Sequence, residues 1–111
     1  MLTAPEVMID DMVSVIVKQV QPEAIILFGS RATGSAGHES DVDLMVIESE
    51  PFGSGNDRRR EMTRLWRALA KFPVSKDVLV YSQDEVEKWR GSRNHIIARA
   101  LREGRLVYGT I

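Results

Sequence analysis

The 111 residues are 43% hydrophobic and 28% charged, enough for one compact domain over residues 1–111 and too few for two ordinary cores. Fifteen Lys and Arg against sixteen Asp and Glu leave a formal net charge of -1, which excludes any global attraction to nucleic acid or an anionic membrane and makes any phosphate binding local. The lack of cysteine excludes disulfides, thiolate zinc sites and thiol nucleophiles, and neither a signal-peptide pattern nor an apolar run of the roughly 20 residues needed to span a bilayer occurs; the expectation is a soluble, cytoplasmic protein.

Ile9, Met12, Val13, Ile16, Val17 and Val20 recur at helical spacing, with Asp10, Asp11, Ser14, Lys18 and Gln19 on the other side, so an amphipathic helix is expected up to Pro22. Ala24 to Phe28 is a short, fully apolar run closed by Gly29, the pattern of a buried strand. Asp41 to Ile47 is the next expected strand: Asp41, Asp43, Met45 and Ile47 share one face, and Val42, Leu44 and Val46 the other. The segment from Glu48 to Asp57, with Pro51, Gly53 and Gly55, reads as a mobile surface loop. Asn56 or Asp57 then caps a helix whose apolar stripe is Met62, Leu65, Trp66 and Leu69, while Arg58, Arg59, Arg60, Arg64 and Arg67 dominate its other positions. Val74 to Tyr81 is a third strand, carrying Asp77. Ser82 with Glu85 forms a capping-box pattern, opening a helix that Gly91 and Ser92 interrupt and that resumes with Ile96, Ile97, Ala100 and Leu101 on its apolar side. Gly104 fits a helix carboxyl-terminal cap before a last short strand, Arg105 to Tyr108. This order predicts an α/β (α+β) domain, a small mixed sheet flanked by helices.

The chemistry concentrates in GSRATGSAGHESDVDLMVI, Gly29 to Ile47. Aspartates at i and i+2 of a strand project from one face, so Asp41 and Asp43 can bind the same hard cation or two adjacent ones. Magnesium suits them, because it takes oxygen ligands and often only one or two carboxylates, leaving positions for water and substrate phosphates. Gly29 permits close approach of the backbone, Ser30 offers an amide and a hydroxyl to phosphate, and Arg31 is a nearby cation. If the strand of Asp77 lies beside that of Asp41 and Asp43, the three carboxylates form the set that two-metal phosphoryl or nucleotidyl transfer requires, with Asp77 binding metal or accepting the acceptor's proton.

Gly29-Ser30-Arg31-Ala32-Thr33-Gly34 followed by Ser40-Asp41-Val42-Asp43-Leu44 resembles the signature of polymerase-β-like nucleotidyltransferases, particularly the minimal nucleotidyltransferases of prokaryotes. The resemblance implies ATP bound with magnesium, the Gly29, Ser30 and Arg31 region holding phosphates, Asp41 and Asp43 holding metal, and Asp77 completing the carboxylates. It further implies AMP transfer to a hydroxyl, on tyrosine, of a HEPN-type ribonuclease toxin for which the chain is the antitoxin. The alternative is a non-catalytic antitoxin that inhibits by occupancy. Many relatives carry a second arginine where this chain has Thr33. Templated polymerisation is not expected of so short a chain, and self-association is left open.

Other features have plainer readings. The arginine-rich helix reads first as a solvated face, with a local anion or partner surface as the alternative. His38 and His95 lack a second ligand at metal spacing, Ser30 lacks a paired histidine, and no G-K-[ST] follows the glycines. Trp66 and Trp89 read as core or interface anchors.

Overall fold

The computed structural model describes residues 4–29, 32, 41–55 and 57–111. Helix α1 (Ala4–Val20) leads to strand β1 (Ala24–Phe28), and β2 (Val42–Glu48) returns beside it. Helix α2 (Arg58–Leu69) crosses to β3 (Lys76–Ser82), which is followed by helices α3 (Gln83–Trp89) and α4 (Ile96–Glu103) and by β4 (Arg105–Gly109). The strands form one sheet in the order β3-β2-β1-β4. β2 and β3 are parallel, whereas β1 is antiparallel to both β2 and β4, so the expected mixed sheet is observed.

Both faces of the sheet are covered, which explains why its inner strands read as nearly continuous apolar runs. One face carries Ile25, Leu27, Val42, Leu44 and Val46, packed with Ile9, Met12 and Ile16 of α1 and Leu65 and Leu69 of α2. The opposite face carries Ala24, Ile26, Met45 and Ile47 against Val86 of α3 and Ile97 and Ala100 of α4. Asp43 and Asp77 belong to this second face, on which α3 and α4 sit.

Three local expectations are sharpened. Strand β3 starts at Lys76 rather than Val74, because Pro73 forces a turn in which the Val74 amide donates to the Phe72 carbonyl, and strand pairing begins only with Val42 N–H to Ser75 C=O. Asp57, not Asn56, is the cap of α2: its carboxylate accepts from the Arg59 and Arg60 amides at 2.9 and 3.5 Å. Gly104 does cap α4, but with an ordinary negative φ of -84°. Its need for glycine is steric, since a Cβ there would strike the Ala100 carbonyl and come within 2.6 Å of Ile26 Cγ2.

The loop before α2 is pinned. Phe52 is partly buried against the first core, and the Arg58 guanidinium lies 5.0 Å from its ring centroid and 5.3 Å from that of Tyr81. Arg58 also pairs with Glu85, whose carboxylate accepts the Ser82 amide at 3.0 Å in the predicted capping box. Arg58 therefore faces inward and joins the loop to β3 and α3, unlike its arginine neighbours.

Glu48, at the end of β2 away from Asp43, is 8% exposed, and its Oε2 has no hydrogen-bond partner among the described residues. Burial, followed by the charge and hydrogen bond of Glu61, pushes its carboxyl up from 4.5 to about 7. A carboxyl raised on folding favours the folded state below its unfolded value, and that contribution is lost as pH rises through the folded value. Stability should therefore fall between pH 5 and pH 8, with this group supplying up to about 3 kcal/mol of the difference. Urea melts of Glu48→Gln should show a markedly flatter pH dependence; an unchanged slope would refute the assignment.

Candidate active site

The acidic cluster is a product of strand register. Asp43 is the second residue of β2 and Asp77 the second of β3, and the parallel ladder sets them directly opposite each other. Asp41 precedes β2 by one residue and, two positions from Asp43, shares its face. One carboxylate oxygen from each of Asp41, Asp43 and Asp77 lies within 4.8 Å of the others. Further along the same face, Met45 is paired with Leu79 and Ile47 with Tyr81. The acids thus stand at the end of a face whose continuation is core.

Gly29 closes the other side. It follows Phe28, which pairs with Asp43 across the β1-β2 ladder, and it has a φ of +75°, the left-handed region. A Cβ at this position would collide with Asp43 Oδ2. Two independent constraints therefore demand glycine here, and the group that approaches it is the central carboxylate. Sequence reasoning gave Gly29 a phosphate-binding part and missed this contact. The detectable signal was that antiparallel pairing of β2 with β1 brings the start of one strand beside the end of the other. The Ala32 amide donates to the Gly29 carbonyl at 3.1 Å. Ser30 and Arg31, expected to hold phosphates, lie outside the described residues, as do Thr33 and His38.

Asp43 is half-buried, whereas Asp41 and Asp77 are exposed. Burial first, then the charges of Asp77 and Asp41, hold the Asp43 carboxyl above its ordinary value. Among the described residues no Lys or Arg forms an ion pair with any of the three. Three converging carboxylates with no countercharge among the described residues, and with oxygen-only donors, are what a hard divalent cation fits. Asp41, Asp43 and Asp77 are the residues that could hold one.

His95 is the cap of α4, its Nδ1 accepting the Ile97 amide at 3.1 Å, with its ring stacked on Trp89 at 4.6 Å between centroids. That accounts for both residues structurally, as expected. Trp66 differs from expectation: it is 50% exposed and contributes little to the core.

Residues 11–110 match the family described as polymerase beta, nucleotidyltransferase. In fold the chain is similar to a candidate nucleotidyltransferase from Sulfolobus solfataricus, with a TM-score of 0.64 at 16% identity over 92% of this chain and 78% of the other. It is also similar to a chain of a toxin-antitoxin crystal structure with AMP-PNP, with a TM-score of 0.55 at 19% identity over 91% of this chain and 73% of the other. A third likeness is to a chain of the toxin-antitoxin pair MntA-HpeT, in a variant with two aspartates changed to glutamate, with a TM-score of 0.55 at 17% identity over 91% of this chain and 73% of the other. No curated protein matches the chain in sequence.

Because unneutralised carboxylates repel, Asp77→Asn should raise the melting temperature of the metal-free protein by a degree or two, corresponding to about 0.5 kcal/mol. The same substitution should remove the stabilisation that millimolar magnesium or manganese gives the unmodified protein. Equal metal-induced shifts in both proteins, read by calorimetry, would show that the three carboxylates do not act together.

Proposed function

Since the chain belongs to the polymerase-β nucleotidyltransferase family, we propose that it is an active enzyme that transfers AMP from ATP to a tyrosine hydroxyl of a partner protein, and that it thereby serves as the antitoxin of a HEPN-type ribonuclease toxin. The observation that carries the catalytic part is the convergence of Asp41, Asp43 and Asp77 within 4.8 Å at one end of the sheet. The likeness in fold to toxin-antitoxin structures, one of them with AMP-PNP, supports the partner and the nucleotide.

In this reading Asp41 and Asp43 hold magnesium, and Asp77 completes the set. Bound there, magnesium supplies charge neutralisation for the triphosphate and lowers the pKa of the acceptor hydroxyl. The acceptor oxygen bonds to the α-phosphorus of ATP, the bond to the bridging oxygen breaks, pyrophosphate leaves, and the hydroxyl proton passes to Asp77 or to solvent. Gly29 keeps the Asp43 carboxylate in place, and the adjoining Ser30 and Arg31 hold phosphates. The acidic end of the sheet has two exposed carboxylates, so an acceptor on the surface of a folded partner can reach it. The single domain 1–111 then needs no acceptor pocket of its own, because the partner supplies that surface.

The test combines purified protein, α-labelled ATP, magnesium and the protein encoded beside it. Label should pass to a partner tyrosine, and Asp41→Asn or Asp43→Asn should lower the rate at least a hundredfold, about 2.7 kcal/mol in barrier. Gly29→Ala should lose at least tenfold while the protein stays folded, because Asp43 is displaced. No transfer with any divalent ion would overturn the enzymatic reading, and partner neutralisation that survives both Asp→Asn substitutions would establish inhibition by occupancy.

A further inference from the structure

Most of the outward side of α2 is unused by the fold or by the catalytic reading, although Arg64 reaches α1 and donates to the Gln19 carbonyl at 3.4 Å. Arg58, Met62, Leu65 and Leu69 point inward, leaving Arg59, Arg60, Arg64 and Arg67 in solvent with Trp66 among them. Arg64 pairs with Glu61 at 3.6 Å. Arg59, Arg60 and Arg67 form no ion pair among the described residues. Two shallow hollows run along this side and share Asp57, Arg59, Thr63 and Arg67; one extends to Arg60 and Arg64, the other to Met62 and Trp66, and the Asp57 carboxylate at their end is engaged by the Arg59 and Arg60 amides. A purely solvated helix face gains by alternating charge signs at i,i+4, whereas Arg60 and Arg64 stand at that spacing with like charge. The composition therefore works against the helix it sits on.

We propose that this face binds single-stranded nucleic acid, with guanidinium groups on successive phosphates and a base stacked on Trp66. Two observations select this occupant over an acidic protein. Protein interfaces deplete charge at their centre and bury several apolar groups there, but here guanidinium groups occupy the centre and Trp66, half exposed, is the one large exposed apolar side chain described on the helix. All the cations are arginine, which pairs with phosphate in a bidentate fork and stacks on bases, as interfaces with nucleic acid favour. The net charge of -1 keeps the attraction confined to this face. The surface is independent of the proposed adenylyl transfer, and its test uses neither ATP nor metal.

Fluorescence anisotropy of a labelled oligouridylate of about 12 nucleotides, a length spanning several of the phosphate and stacking contacts, provides that test. Binding should be measurable at 50 mM salt and weaken at least tenfold at 200 mM, with a log-log slope near -2 for about three phosphates. Arg59→Ala, Arg60→Ala and Arg67→Ala combined should abolish it. Trp66→Ala should weaken it about tenfold without changing the slope, and Trp66→Phe should restore most of the loss. Circular dichroism verifies folding; should the triple variant unfold, Arg67→Glu and the Trp66 pair of substitutions carry the result. No binding at low salt, binding that survives the arginine substitutions, or indifference to Trp66→Ala would each overturn the proposal. Equal competition by a polyglutamate peptide of the same length would overturn it in favour of an acidic protein partner.

Discussion

The parallel pairing of β2 with β3 is the constraint on which the acidic end depends. A one-residue slip would turn Asp77 to the opposite face and break the alignment with Asp43. The register is held by what lies beyond the acids. Leu44 with Val78 and Val46 with Val80 bury one face under α1 and α2, while Met45 and Ile47 bury the other. Parallel strands also require a crossover, and α2 supplies it by burying Leu65 and Leu69. Carboxylates in such a doubly covered sheet can stand only where the cover ends, and the first two residues of a strand are such a place.

The two ends of β2 show two solutions to placing a carboxyl in a nearly buried strand. At Glu48 the nearby Glu61 and deep burial raise the carboxyl to about 7, so a proton removes the charge over much of the ordinary pH range. At Asp43 two of the three acids are exposed, and solvent shares the load. The Asp43 carboxyl is raised by burial and by both neighbours, yet no cationic side chain among the described residues relieves it. A fold selected only for stability would place a Lys or Arg nearby. Among the described residues the three acids stand without one, which sacrifices stability for a cluster of oxygen donors, an exchange that functional sites make.

Much of this was legible from residue patterns, because the patterns report burial. The apolar runs of β1 and of Leu44 to Ile47 in β2 follow from the two covered faces, the alternation of β3 from its place at the sheet edge, and the capping box at Ser82 is local chemistry. The placement of Asp77 depended on strand order, which alternation alone does not set. Arg58 was grouped with its neighbours because five arginines look alike in sequence, yet Arg58, Met62, Leu65 and Leu69 follow the i, i+4, i+7, i+11 spacing of a buried stripe. Substituting Arg58 for Trp66 in the expected stripe was the available correction, and it required noticing that Phe52, Tyr81 and Glu85 could receive a guanidinium. The late start of β3 reflects Pro73, whose effect reaches past its own position. The phosphate-binding parts expected of Ser30 and Arg31, by contrast, rest on the sequence alone, since both lie outside the described residues.

The two sides of α2 carry separate duties, and the sheet keeps them apart. Its buried stripe belongs to the core formed with α1, whereas Asp43 and Asp77 share the face with Met45, Ile47 and Tyr81 that α3 and α4 cover. A strand lying along the outer arginines would therefore occupy the opposite side of the sheet from the carboxylates. It could be neither template nor acceptor for chemistry at Asp43 without leaving that surface. Under the two proposals, occupancy of one surface leaves the other open. In the chain α2 leads through residues 70–75 into β3, the strand that sets Asp77 against Asp43.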